Sequence, residues 1–155
     1  MRLDWYKVLP EGINAMLGLQ KVVDKSGIDH KLLELIKIRA SQINGCAHCL
    51  DMHTKDAIAL GESEQRIHLL TAWREAPFYS DRERAALAWC EVLTQISEFG
   101  APEEIYNEVK DLFSPIEQVE LTLAIVTINS WNRLAVGFKS EVGGYVSKIN
   151  NDTEH

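Results

Sequence analysis

Apolar positions along the chain recur at intervals of three and four. Ile13, Met16 and Leu17 open one series that Leu19, Val22 and Val23 continue, and Leu32, Leu33, Leu35, Ile36 and Ile38 form a second. That period places the apolar side chains on one face of an α-helix. From Asp81 to Ile96 the spacing returns with Ala85, Leu87, Ala88, Val92, Leu93 and Ile96, and Ser80 with Glu83 supplies a capping box at its start. Ser114-Pro115-Ile116-Glu117 repeats the device, with Pro at the first helical position, ahead of a run to about Val136. No stretch alternates apolar and polar residues as a half-buried strand would, and the β-branched cluster Ile125-Val126-Thr127-Ile128 sits inside a longer helical segment.

The pattern therefore predicts an all-α fold of about seven helices and no sheet. Its punctuation falls at Gly27, Asn44-Gly45, Gly61, Pro77, Gly100 with Pro102, and Gly143-Gly144, none of them a long linker. With no internal repeat and no low-complexity tract, residues 1–155 read as one domain, and the polar tail from Lys148 to His155 is expected to fray. The segment Leu121 to Val136 is apolar on nearly every face, the mark of a helix buried on all sides. Two arrangements fit it: the central helix of a monomer, or a helix partly covered by another subunit.

Composition narrows the function classes. Sixteen basic residues against 23 acidic ones leave a net charge of -7, the wrong sign for neutralising nucleic-acid phosphates. The longest strongly apolar stretch, Leu121 to Asn132, spans 12 residues, short of the roughly 20 a membrane-spanning helix needs. Met1-Arg2-Leu3-Asp4-Trp5-Tyr6-Lys7 has no signal-peptide character. A cytoplasmic location with no nucleic-acid or membrane partner is the expectation. In such a compartment the three cysteines are by default reduced, and a Cys-x-x-Cys pair, here Cys46 and Cys49, signals redox chemistry or metal binding.

Asn44-Gly45 breaks one helix, and the next begins at about Cys46 and stops at Gly61. A cysteine at a helix N-terminus meets unpaired backbone N–H groups and the positive end of the helix dipole, which stabilise the reactive thiolate. Cys49 and His53 are four residues apart, so the imidazole falls on the same face as the sulfur and can exchange a proton with it. Glu34 precedes Cys46 by twelve residues. An antiparallel return across the Asn44-Gly45 turn brings its carboxylate toward the same pocket, to orient or charge-pair His53. These arguments divide on the more activated thiol: the dipole favours Cys46, and His53 favours Cys49.

The array Glu34, Cys46, Cys49 and His53, with His48 inside the pair and Asp51-Met52-His53 after it, resembles the AhpD-like alkylhydroperoxidases of the carboxymuconolactone decarboxylase superfamily. Arg39 to Cys46, Trp73-Arg74-Glu75, Ser80 to Leu87 and Ile128-Asn129-Ser130-Trp131-Asn132-Arg133 also look like the family pattern, so the resemblance runs from about residue 28 to 136. It implies a helical fold assembled as a trimer or hexamer and a peroxidase cycle run by the cysteine pair. Cys49 would be the peroxidatic thiol, Cys46 the proton donor and resolving thiol, and Glu34, His48 and His53 the proton relay. The substrate would be an organic hydroperoxide or hydrogen peroxide, reset by a dithiol reductant protein, with no bound cofactor. Trp131-Asn132-Arg133 would line the pocket or a subunit contact.

Rival readings fit less well. A zinc site built from both thiols, His53 and either Glu34 or His48 lacks the second paired ligand group usual in structural sites, so no metal is expected. Leu50 stands where c-type haem attachment requires His. The lactone decarboxylase branch of the same superfamily does not use a cysteine pair, and a non-catalytic thiol redox sensor would share only the first chemical step. Cys90, among apolar neighbours in its helix, reads as an inert core thiol, and Trp73, Trp89 and Trp131 as core anchors. His30 and His68 fall on ordinary helical segments, while Asn129 and Asn132 need hydrogen-bond partners if buried.

Overall fold

Two capping boxes and one left-handed glycine set the helix boundaries that matter most. A computed structural model of the chain describes residues 1–149, and among these it contains nine α-helices, one 3-10 turn and no strand. In chain order they are α1 (Trp5–Val8), α2 (Pro10–Asp24), α3 (His30–Asn44), α4 (Ala47–Ala59), α5 (Glu64–His68), the 3-10 turn Leu70–Ala72, α6 (Asp81–Thr94), α7 (Ile96–Phe99), α8 (Glu103–Leu112) and α9 (Pro115–Phe138). The all-α expectation holds, with two helices more than the approximate count of seven. The additions are four-residue helices: α1, too short to show a period, and α7, which continues α6 beyond a break at Gln95.

Ser80 caps α6 and Ser114 caps α9, each hydroxyl accepting from the backbone N–H three residues on while Glu83 or Glu117 reaches back to the cap N–H. At the end of α3, Gly45 adopts φ 64° and ψ 34°, a left-handed conformation that carries little strain only for glycine. Its N–H closes on the carbonyls of Ser41 and Gln42, and the Cys46 N–H bonds the Ser41 carbonyl at 2.9 Å. The chain thus reverses, and α4 packs back along α3.

Helix α3 lies in the middle, against α4, α6 and α9. Its Leu33, Leu35, Ile36 and Ile38 are fully buried with Leu87 from α6 and Leu121, Ile125 and Ile128 from α9. Each such side chain contributes about 1.5–3 kcal/mol through burial. Cys90 is buried in this core, and Trp73 and Trp89 anchor it with their indole N–H groups bonded to Glu91 and Thr122.

Four polar side chains tie α9 to the turn before the cysteine pair. Asn44 Nδ2 donates to Oδ1 of both Asn129 (3.0 Å) and Asn132 (2.9 Å), while Asn132 Nδ2 donates to Ser41 Oγ at 3.0 Å. Asn129 Nδ2 reaches Thr94 Oγ1 on α6.

Helix α9 is not covered all round by its own chain, because Val126 and Val136 are 46% and 47% exposed. The segment between α9 and the tail expected to fray from Lys148 is engaged. After α9 the chain crosses α4, with the Gly143 N–H on Asp51 and Lys55 Nζ on the Tyr145 carbonyl, and Ile149 reaches the wall of a cavity. The remainder of the expected frayed tail, residues 150–155, lies outside the described residues. Among the described residues no helix is long and apolar enough to cross a membrane.

Candidate active site

The turn at Gly45 brings the middle of α3 alongside the middle of α4, and with it Glu34 beside His53. Glu34 Oε2 lies 2.8 Å from His53 Nδ1, and Lys37, one turn further along α3, places Nζ 2.7 Å from Oε1. Burial opposes the Glu34 charge, but the hydrogen bond and charge of His53 and the ammonium of Lys37 outweigh it and hold the carboxyl below its ordinary value of 4.5. The group is therefore ionised at neutral pH. A carboxylate can only accept, so His53 Nδ1 carries the proton of this bond, and Nε2 is left as the ring nitrogen that can take another.

Cys46 is the N-cap of α4: its Sγ accepts from the backbone N–H of Cys49 at 3.3 Å. Placed there, the Cys46 sulfur receives the stabilisation that a helix N-terminus offers an anion. The two sulfurs are joined in a disulfide, with Cα atoms 5.3 Å apart. Both residues are buried, but only Cys49 lines the adjoining cavity of about 680 Å³.

The cavity is lined by the polar or reactive side chains of Glu34, Lys37, His48, Cys49, His53 and Asp56 and by the apolar ones of Trp5, Tyr6, Leu17, Met52, Leu60 and Trp131. His48 Nδ1 sits 2.5 Å from the carbonyl of Glu141, which fixes Nδ1 as the protonated nitrogen. Asp56 accepts from the Tyr145 hydroxyl at 2.9 Å; burial, then this bond and the Asp56 charge, push the phenol up to about 12. Glu34, His53 and Asp56 have ligand atoms within 4.8 Å of one another, the spacing of a cation site. Two of these groups are already engaged: Lys37 Nζ donates to Glu34, and the Tyr145 hydroxyl donates to Asp56.

All five residues singled out from the sequence, Glu34, Cys46, His48, Cys49 and His53, are thus within one neighbourhood, with Cys46 behind the cavity wall. His30, read as an ordinary helical residue, lines the cavity, and so does Trp131, which is half-buried there rather than a core anchor. Lys37, Asp56, Tyr145, Trp5, Tyr6 and Ile149 were not identified from the sequence. Lys37 follows Glu34 by three and Asp56 follows His53 by three, spacings that place each on the face of its partner. The residues from the chain ends have no comparable local signal.

Comparisons with known proteins agree on this region. The model of the carboxymuconolactone decarboxylase family matches residues 10–91. The uncharacterized protein YdfG of Bacillus subtilis (strain 168) is 46% identical over 135 residues, covering 87% of this chain and 92% of that protein. A crystal structure from Agrobacterium tumefaciens superposes with TM-score 0.89 and 45% identity over 93% of this chain and 99% of that one; it is a protein of unknown function proposed as an antioxidant defence protein AhpD. The debrominase Bmp8 shares the fold, with TM-score 0.75 and 22% identity over 87% of this chain and 73% of its own.

Proposed function

The chain belongs to the carboxymuconolactone decarboxylase family as an AhpD-like member, and from that premise we propose that it is a thiol-dependent peroxidase. The observation that carries this reading is the placement of Cys49. It faces a cavity, one helical turn from His53, with Cys46 bonded to it from behind.

In the reduced enzyme, His53 Nε2 takes the Cys49 proton, and the Glu34 carboxylate on Nδ1 stabilises the imidazolium that forms. The Cys49 thiolate attacks the terminal peroxide oxygen. An S–O bond forms, the O–O bond breaks, and the alkoxide takes a proton from the imidazolium to leave as alcohol. Cys49 is then a sulfenic acid. The Cys46 thiolate attacks the Cys49 sulfur, the S–S bond forms, and hydroxide leaves and is protonated to water. Two electrons and two protons from a dithiol reductant protein restore the pair. His48, with its proton fixed on Nδ1, offers Nε2 as a second acceptor on the cavity wall. Cytoplasmic antioxidant defence by a homo-oligomer is the setting this chemistry suits.

Anaerobic mixing of reduced protein with one equivalent of cumene hydroperoxide tests the proposal. The expected result is a Cys46–Cys49 disulfide within seconds, by intact mass and peptide mapping, with one equivalent of alcohol released. Cys49→Ser should abolish both. Full peroxide consumption by that variant would remove the cysteine pair from the mechanism.

A further inference from the structure

The redox pair and the aromatic wall of the cavity come from different parts of the chain. Glu34, Cys46, Cys49 and His53 lie within residues 10–91, the span that the family model matches, whereas Trp5, Tyr6 and Trp131 lie outside that span. Trp5 stacks on Tyr6 with ring centroids 4.0 Å apart, and its ring stands 6.0 Å from that of Trp131. Two contacts hold this cluster: the Arg2 N–H on the Phe138 carbonyl at 2.7 Å, and the Trp131 indole N–H on Gln20 Oε1 at 3.1 Å. Met52, one turn along α4 from Cys49, adds an adaptable thioether.

Size and charge then select the occupant. A water takes ~30 Å³ and hydrogen peroxide about a third more, so hydrogen peroxide fills only about a twentieth of a cavity of about 680 Å³. Asp24, Glu34 and Asp56 face the cavity against a single ammonium, Lys37, which is already paired with Glu34. Such a lining repels an anionic substrate.

We propose that the physiological substrate is an uncharged hydroperoxide carrying an aryl group, which packs on the Trp5, Tyr6 and Trp131 rings while its peroxide reaches Cys49. This rests on the peroxidase reading and leaves the step at sulfur unchanged.

The test compares second-order oxidation rates of the reduced protein by cumene hydroperoxide, hydrogen peroxide and linoleic acid hydroperoxide, the last an anion at neutral pH. Cumene hydroperoxide is expected to react at least about tenfold faster than either of the others. Tyr6 is 51% exposed, so its loss does not threaten the fold. Tyr6→Ala should slow cumene hydroperoxide about three- to tenfold, the worth of one aromatic contact, and leave hydrogen peroxide within about twofold. The product alcohol, 2-phenyl-2-propanol, should bind the unmodified protein saturably by tryptophan fluorescence. Equal rates for the three peroxides, equal loss on two of them in Tyr6→Ala, or no saturable alcohol binding overturns the aryl proposal and leaves the peroxidase reading standing. If none of the three peroxides oxidises the pair, the peroxidase reading fails and takes the proposal with it.

Discussion

Glu34 Oε2 and His53 Nδ1 are 2.8 Å apart although 19 residues separate them in the chain, and Lys37 closes the other carboxylate oxygen at 2.7 Å. Replacing Glu34 by Gln should therefore do two things. The nearly buried Lys37 ammonium loses its counter-charge, which costs about 3–5 kcal/mol at pH 7. His53 also loses the group that stabilises its protonated form, so oxidation of the cysteine pair should slow by at least about tenfold.

The same pair shapes acid stability. Because folding lowers the Glu34 pKa, its contribution is fully present above the ordinary value of 4.5 and is lost as pH falls from there through the folded value. Urea midpoints measured from pH 7 down to pH 3 should show a shallower acid limb in Glu34→Gln than in the wild type. Parallel acid limbs would mean that the carboxylate is not held by these partners.

Local signals account for most of what was legible in the sequence. The capping boxes at Ser80 and Ser114, the left-handed glycine at 45 and the spacing of Glu34, Cys49 and His53 all operate within one helix or one helix-turn-helix. Neither end of the chain is legible in that way. The bonds of Arg2 to Phe138 and of Tyr145 to Asp56 join residues 136 and 89 apart, and α1 is a four-residue helix with too few positions for a period. The aromatic wall thus depends on tertiary packing that no local pattern encodes. Cysteine order is a different case: helix-terminal charge and cavity access are separate physical effects, and only the fold shows that they fall on different sulfurs.

Asn132 provides a test of how the cysteine turn is held. Its side chain is 1% exposed and joins Asn44, which immediately precedes Gly45, to Ser41. Asn132→Ala removes one of two acceptors of the half-buried Asn44 amide, which keeps Asn129, and leaves the buried Ser41 hydroxyl without its donor, a loss of about 1–3 kcal/mol, or roughly 2–12 °C in Tm for a domain of this size. Hydrogen exchange should quicken at the Cys46 amide, which bonds to the Ser41 carbonyl. A Tm within about 1 °C of wild type would show that the asparagine network is not structural.

Cys90 should be silent. It is fully buried, and burial pushes its thiol up to about 12 despite a hydrogen bond with Thr94. With the Cys46–Cys49 disulfide formed, iodoacetamide at pH 8 should leave the native protein unlabelled and add one group after unfolding in urea. Cys90→Ala should cost about 1 kcal/mol and leave peroxide turnover unchanged. Labelling of Cys90 in the native state would place it outside the core.

The order of events at the two sulfurs can be tested directly. Cys46 Sγ, at the N-cap of α4 and bonded by the Cys49 N–H, is in the better position to persist as thiolate, whereas Cys49 lines the cavity. These effects cooperate. A more acidic thiol is the better leaving group when a reductant attacks a disulfide, so an incoming dithiol should attack the accessible Cys49 and release Cys46. Peroxide should meet Cys49 for the same reason of access. With one equivalent of cumene hydroperoxide and dimedone present, Cys46→Ser should therefore trap a sulfenic acid adduct on Cys49. Cys49→Ser should give none on Cys46, despite its stabilised thiolate. An adduct on Cys46 forming at a comparable rate would reverse the two roles and make thiolate stability, rather than access to the cavity, the property that selects the attacking sulfur.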